Sequence, residues 1–350
     1  MTSINRHYDI DWLRVIAIGL LLIYHVAIGF QPWGMMIGFI TNSEPWAGLW
    51  MPMSLLNVWR IPLLFFVSGM GVYFALQKRD WKQLLGERAK RILLPFVFGS
   101  LFIVPIHIWI WQHYYHMEMK YIWNMGHLWF LANIFAYVVL LSPLLFYLKK
   151  HDEGKLAVGI RNLMSHPLGL LVATGAFVLE VMVMKPYPFE LYAQTWHGFV
   201  LGLLAFFFGF CFVLSGNGFW EMIQRWRWAF LIVGLGLFIM RAYQLVSLPV
   251  YVIAIESMSW ILVVLAFGSR YLNKPGSVLT YLSEAAYPVY ILHMVFLYLG
   301  SMLLFRLVMP APLQFTLLLL ITLAGCFTTF EVIRRVSWLR VVFGLKVISP

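Results

Sequence analysis

Eight ionisable side chains interrupt apolar runs of this 350-residue sequence: His25, Arg60, His127, Glu180, His197, Arg241, Glu256 and His293. Such groups are costly to remove from water and are retained where they act. An imidazole takes up and returns a proton near neutral pH. An arginine stabilises a developing oxyanion or pairs with a substrate carboxylate. Two arginines with two glutamates can also neutralise one another, as buried ion pairs that fix helix register and do no chemistry. For His25 the corresponding structural role is a hydrogen bond to a neighbouring helix's carbonyl.

Arg14 stands eleven residues before His25. On a helix that spacing returns to within about 20° of the same face, with an axial offset of roughly 16 Å. One stripe therefore carries a permanent cation at one end and a titratable base deep along it. An anionic donor with a long thin arm, such as coenzyme A, suits that stripe, although a snorkelling interfacial arginine also accounts for Arg14. Arg88 and Arg91, in Glu87-Arg88-Ala89-Lys90-Arg91, are three apart and share a helix face suited to phosphate oxygens. Anchoring by positive charge is the other reading of that cluster. Asp9 and Asp11 read as N-capping residues, and either can hold Arg14.

The elements that must position these groups follow from composition. Hydrophobic residues make up 62% of the chain and charged residues 11%, with mean hydropathy +0.83. A soluble globule needs about 25% charged residues. That contrast excludes disorder, collagen and a nucleic-acid-binding module, and gives the lipid bilayer as solvent. A crossing helix needs about 20 mostly apolar residues. The sequence predicts about ten, over 13–32, 51–76, 92–111, 127–148, 167–184, 197–214, 228–247, 249–267, 279–305 and 313–331. The fold class is all-α polytopic membrane protein, a single domain over 1–350 with a tail from about 332 to 350. By rise per residue, His25 lies roughly 18 Å into the first span, and Arg60, Glu180, Arg241 and Glu256 sit at a similar level, with His127 and His197 just above.

Lys and Arg alternate between connections. Residues 77–91 hold Lys78, Arg79, Lys82, Arg88, Lys90 and Arg91, and 149–166 hold Lys149, Lys150, Lys155 and Arg161. The intervening connections are nearly bare. The positive-inside rule then puts both termini in the cytoplasm and assigns most of the net +11 to topology. Cys211 and Cys326 lie in apolar runs and read as inert thiols. No phosphate-binding loop, HExxH, cysteine pair for zinc or Gly-x-Ser-x-Gly elbow occurs, and no metal site is expected.

Asp11-Trp12-Leu13-Arg14 with His25 after ten intervening residues resembles the first-helix Arg/Lys-x10-His motif of the acyltransferase 3 membrane family. Leu64-Phe65-Phe66-Val67-Ser68-Gly69 is similar to its second-helix signature, and Arg88-Ala89-Lys90-Arg91 to its Arg-x-x-Arg motif. Gly126-His127-Leu128-Trp129-Phe130-Leu131 and Tyr287-Pro288-Val289-Tyr290-Ile291-Leu292-His293 resemble two later segments, so the likeness spans residues 9 to about 340. Trp59-Arg60-Ile61-Pro62 looks closer to the branch containing glucan biosynthesis protein C, which succinylates periplasmic glucans.

The resemblance implies an O-acyltransferase of the bacterial inner membrane. It would move an acetyl or succinyl group from cytoplasmic acyl-CoA to a hydroxyl of a periplasmic or cell-surface glycan, with no permanently bound cofactor. Arg14, Arg88 and Arg91 would hold the donor's phosphates and His25 would be the general base. Arg60 or Arg241 would stabilise the oxyanion or meet a succinyl carboxylate, with Glu180 and Glu256 completing the catalytic layer. His127, His197 and His293 would bind substrate. A covalent acyl-histidine is compatible with the sequence, as is a separate glycan-handling protein. The competing class is a secondary transporter or flippase using the same polar layer, although no inverted repeat is visible.

Overall fold

A computed structural model describes residues 7–245 and 248–346. The last two residues of the expected 228–247 span and the ends of the 1–350 domain and 332–350 tail lie outside the described residues. Among the described residues, ten helices are long and apolar enough to cross a membrane: α1 Tyr8–Ile28, α2 Ala47–Gln77, α3 Trp81–Tyr114, α4 Gly126–Lys150, α5 Pro167–Met184, α6 Trp196–Leu214, α7 Asn217–Ala242, α8 Val250–Tyr271, α9 Ser277–Leu304 and α10 Ala311–Ile333. No strand occurs among the described residues. The chain is an all-α polytopic membrane protein.

Several helices outrun their apolar windows. α7 begins at Asn217 rather than near 228, so Arg225 and Arg227 lie within it. The stretch 149–166 contains the amphipathic helix Lys155–Met164. Hydropathy marks where lipid begins; backbone hydrogen bonding continues into the interface, where charged residues are still good helix formers. α1 stops at Ile28 rather than 32, ahead of Gly29 and Pro32, which places His25 in its last turn.

The chain groups into two compact units. The first comprises Met1–Ala17, Ser54–Gly86 and Asn133–Leu279. Its tightest packing joins α2 to α6. A Cβ on Gly69 would lie 1.9 Å from the Phe206 carbonyl oxygen, and one on Gly209 would lie 2.1 Å from that of Phe66. Apolar side chains gain little by leaving lipid, so small residues that let backbones approach provide the association. The Phe66 ring stacks on Phe212 beside this contact, with centroids 5.4 Å apart. Gly69→Ala is therefore expected to force the helices apart and cost about 1–3 kcal/mol. Gly175→Ala, where nothing lies within 4 Å of the added carbon, should be neutral or stabilising. Thermal unfolding in one detergent compares the two.

The second unit comprises Ile18–Met53, Glu87–Ala132 and Thr280–Pro350. α3 carries two π-helical segments, Ala89–Leu93 and Gly99–Ile103. Pro105 has no N–H, so the carbonyl of Leu101, four residues earlier, loses its usual helical partner. The Tyr121 hydroxyl donates to that carbonyl at 3.1 Å. Beyond α1, the segment 29–46 folds back on itself: Asn42 N–H donates to the Gly29 carbonyl at 2.8 Å and Trp46 N–H to that of Phe30 at 3.0 Å. The buried Asn42 amide donates to Gln314 of α10, which ties this segment down near the end of α1 that carries His25.

Candidate functional site

In the second unit, His25 of α1 faces His293 of α9. Their nitrogens Nδ1 and Nε2 are 2.8 Å apart. The ring planes diverge by 9° and the centroids are 5.0 Å apart, so the imidazoles lie edge to edge, as a hydrogen bond requires, rather than face to face. His293 is fully buried, and its Nδ1 lies 2.6 Å from the Tyr290 carbonyl oxygen.

This geometry fixes where the protons sit. A carbonyl only accepts, so Nδ1 of His293 carries a hydrogen and, in the neutral ring, Nε2 carries a lone pair. Nδ1 of His25 must then donate to that lone pair. The basic nitrogen of His25 is therefore Nε2. Both nitrogens of His293 are engaged, one by Tyr290 and one by His25.

His127, at the start of α4, continues the cluster, with its ring centroid 4.9 Å from that of His293 at 80°. Its Nε2 donates to the Ile291 carbonyl at 3.1 Å, and its backbone carbonyl accepts from the Tyr290 hydroxyl. Two glycines shape this corner. A Cβ on Gly99 would lie 2.4 Å from Leu128, and Gly126 has φ +50°, with Val104 3.0 Å from its added carbon. A fourth imidazole, His107 of α3, is 5.7 Å from His127 and 5.1 Å from the Tyr298 ring, measured between centroids. Sequence reading passed over His107, although it stands in an apolar run just as His127 does and the same criterion flags it. Among the described residues, no group of three or more His, Cys, Asp or Glu has the geometry to hold a metal ion.

Arg88 and Arg91 also belong to the second unit. Arg91 pairs with Glu87 at 3.2 Å. The π segment Ala89–Leu93 lies between and around them, and its wider turn means that a three-residue spacing no longer guarantees one face. π segments of this kind are frequent at functional sites.

The first unit holds the remaining groups. Arg14 meets Asp11 at 3.3 Å, the arrangement that the capping aspartates allowed, and its guanidinium lies against Gly71 of α2. Arg60 is 2% exposed. Arg241 of α7 grips Glu256 of α8 with two bonds, Nε to Oε2 at 2.7 Å and Nη2 to Oε1 at 2.8 Å, and Nη2 also donates to the Ser54 carbonyl at 3.0 Å. Glu180 of α5 turns to His197 of α6, with its two oxygens 2.9 and 3.1 Å from Nδ1. His197 Nε2 donates to the Phe189 carbonyl at 2.9 Å. Glu256 and Glu180 are sealed, at 0% and 4% exposure, and the hydrogen-bonding faces of these pairs are turned to one another. Mutual neutralisation, foreseen for the Arg and Glu residues, is what Arg241 and Glu256 do; Glu180 instead finds an imidazole.

Ten membrane-length helices among the described residues define a multi-pass membrane protein, and His25, His293, His127 and His107 cluster within its second unit. The sequence profile of the acyltransferase 3 family, an acyltransferase domain, matches residues 7–331. The chain belongs to that family and is a membrane acyltransferase. No curated protein and no solved structure matches it.

Proposed function

We propose that this acyltransferase moves an acetyl or succinyl group from acyl-CoA to a hydroxyl of an extracytoplasmic glycan, with His25 as general base. The observation that carries this reading is the directed chain Tyr290 carbonyl, His293, His25, which leaves the lone pair of His25 on Nε2. The acceptor hydroxyl gives its proton to that nitrogen as its oxygen bonds to the thioester carbon. The carbon–sulfur bond then breaks, and the Nε2 proton passes to the coenzyme A thiolate. Charge that develops on His25 is shared through Nδ1–H with the lone pair of His293, much as an acceptor behind a catalytic histidine holds its tautomer in other acyl-transfer enzymes. His293 is in this scheme a positioning residue rather than a binder of substrate.

Resemblance to the branch containing glucan biosynthesis protein C supports a succinyl donor and a periplasmic glucan. It also supports the bacterial inner membrane as the enzyme's location, with any glycan-handling protein as a separate partner. The same resemblance supports Arg14, Arg88 and Arg91 as partners of the donor's phosphates, and Arg60 or Arg241 as partner of the oxyanion or of a succinyl carboxylate; Arg241 is already paired with Glu256.

Arg88→Ala and Arg91→Ala are each expected to raise KM for acetyl-CoA and succinyl-CoA by roughly 10–100-fold, the ratio for one charged hydrogen bond. The effect should shrink as salt rises. Initial-rate measurements with purified protein decide this, and unchanged donor KM in both variants removes these residues from the donor site.

A further inference from the structure

We infer that His107 and His127 form the subsite that holds the acyl acceptor through hydroxyl groups, so that the acceptor is a polyol presenting more than one donor hydroxyl. This rests on the acyl transfer proposed above and adds what the site recognises.

The observation is a pair of unmade hydrogen bonds. Nδ1 of His107 and Nδ1 of His127 are both buried with no hydrogen-bond partner among the described residues. His107 as a whole is 6% exposed, and its side chain makes no hydrogen bond among the described residues. A buried polar atom that gives up its bonds to water without replacement destabilises the fold. Native proteins keep few such atoms, and each calls for an explanation, a ligand among them. Here two occur on neighbouring rings, in the same cluster as His293 and His25.

The tautomer of His127 states what it seeks. Its Nε2–H is committed to the Ile291 carbonyl, so in the neutral ring Nδ1 offers a lone pair and binds an O–H or N–H donor. Nδ1 of His107 is bound to neither role and accepts or donates as its tautomer dictates. Among the described residues no Asp or Glu is a hydrogen-bond or ring-contact partner of His107 or His127, which suits uncharged hydroxyls rather than an ammonium group. The local backbone brings the pair together: Gly126, at φ +50°, lets the chain turn with Val104 and His107 close by, and Gly99 admits Leu128. Two hydrogen-bonding nitrogens beside a base define a site that selects one hydroxyl for reaction while reading its neighbours.

The test compares wild type, His127→Gln and His107→Phe in nanodiscs. Gln retains a donor for the Ile291 carbonyl and lacks the Nδ1 lone pair. Phe keeps a ring against Tyr298 and has no nitrogen. Methyl β-D-glucopyranoside and its monodeoxy derivatives are titrated by saturation-transfer NMR, and transfer from acetyl-CoA and succinyl-CoA is measured on the same samples. Each variant should bind the parent glucoside about tenfold more weakly, the ratio for one neutral hydrogen bond. For each variant, one deoxy derivative should bind wild type and variant alike, because the hydroxyl that the lost nitrogen contacted is already missing. His107→Phe should melt at or above the wild-type temperature, whereas loss of a merely structural histidine would lower it. The subsite is overturned if the wild type binds no glucoside, if both variants bind it as the wild type does, or if the loss is uniform across all deoxy derivatives. A wild type that shows the expected binding pattern yet transfers no acyl group keeps the subsite and sinks the acyl-transfer reading instead.

Discussion

Replacing His25 by alanine is expected to lower the rate of acyl transfer by about 10²–10⁴-fold, the range that a positioned general base contributes. His25 is only partly buried, but its removal leaves Nε2 of the fully buried His293 without a donor, which costs about 1–3 kcal/mol, so the melting temperature should fall by a few degrees while the fold persists. Donor KM should stay near the wild-type value, because the loss falls on the chemical step. His293→Phe isolates the positioning role: His25 remains, but its Nδ1–H loses its acceptor. Transfer should then fall less than in His25→Ala, and the pH profile should move, since the imidazolium loses the lone pair that stabilises it. Steady-state rates across pH, with melting curves on the same preparations, measure both. A His25→Ala protein that folds and transfers at the wild-type rate removes the base.

The largest effect on stability belongs to Arg241. Its partner Glu256 is 0% exposed and takes two bonds from the guanidinium, so Arg241→Met leaves a buried carboxylate without its counter-charge. Breaking such a pair costs about 3–5 kcal/mol, which corresponds to a fall in melting temperature on the order of 10 °C. Replacing both partners, Arg241→Met with Glu256→Leu, should recover most of that loss, because no uncompensated charge remains. Differential scanning fluorimetry of the two single variants and the double variant reads the pattern. Recovery of stability together with recovery of transfer assigns the pair to structure. A stable double variant without transfer would return it to the catalytic layer, where sequence reading had placed it.

What the sequence made legible follows from the physics of each signal. The ten spans were readable because lipid demands about 20 apolar residues at each crossing, and nothing in tertiary packing can waive that demand. Helix ends were not readable from hydropathy: α7 begins at Asn217 rather than 228, since helical backbone bonding does not stop where charge begins. The likeness in Phe65-Phe66-Val67-Ser68-Gly69 acquires a physical cause in the reciprocal backbone contact of Gly69 and Phe66 with Phe206 and Gly209 of α6. Partners were the hardest to foresee. His25 and His293 are 268 residues apart in sequence, and no local pattern announces that one imidazole will orient another. His197 was expected to bind substrate, and Glu180 was expected near an arginine; their pairing with each other depends on how α5 and α6 meet. The π segments of α3 arise beside Pro95 and Pro105, and helical spacing rules, which assume 3.6 residues per turn, no longer fix whether Arg88 and Arg91 share a face.

The most direct measurement uses purified protein in detergent, with no membrane gradient, incubated with radiolabelled succinyl-CoA or acetyl-CoA and an envelope glycan extract. The account predicts label covalently attached to glycan hydroxyls by the wild type and almost none by His25→Ala. Contradiction would be an unlabelled glycan in the wild-type reaction while the same protein, in sealed vesicles, carries a solute or lipid across the bilayer.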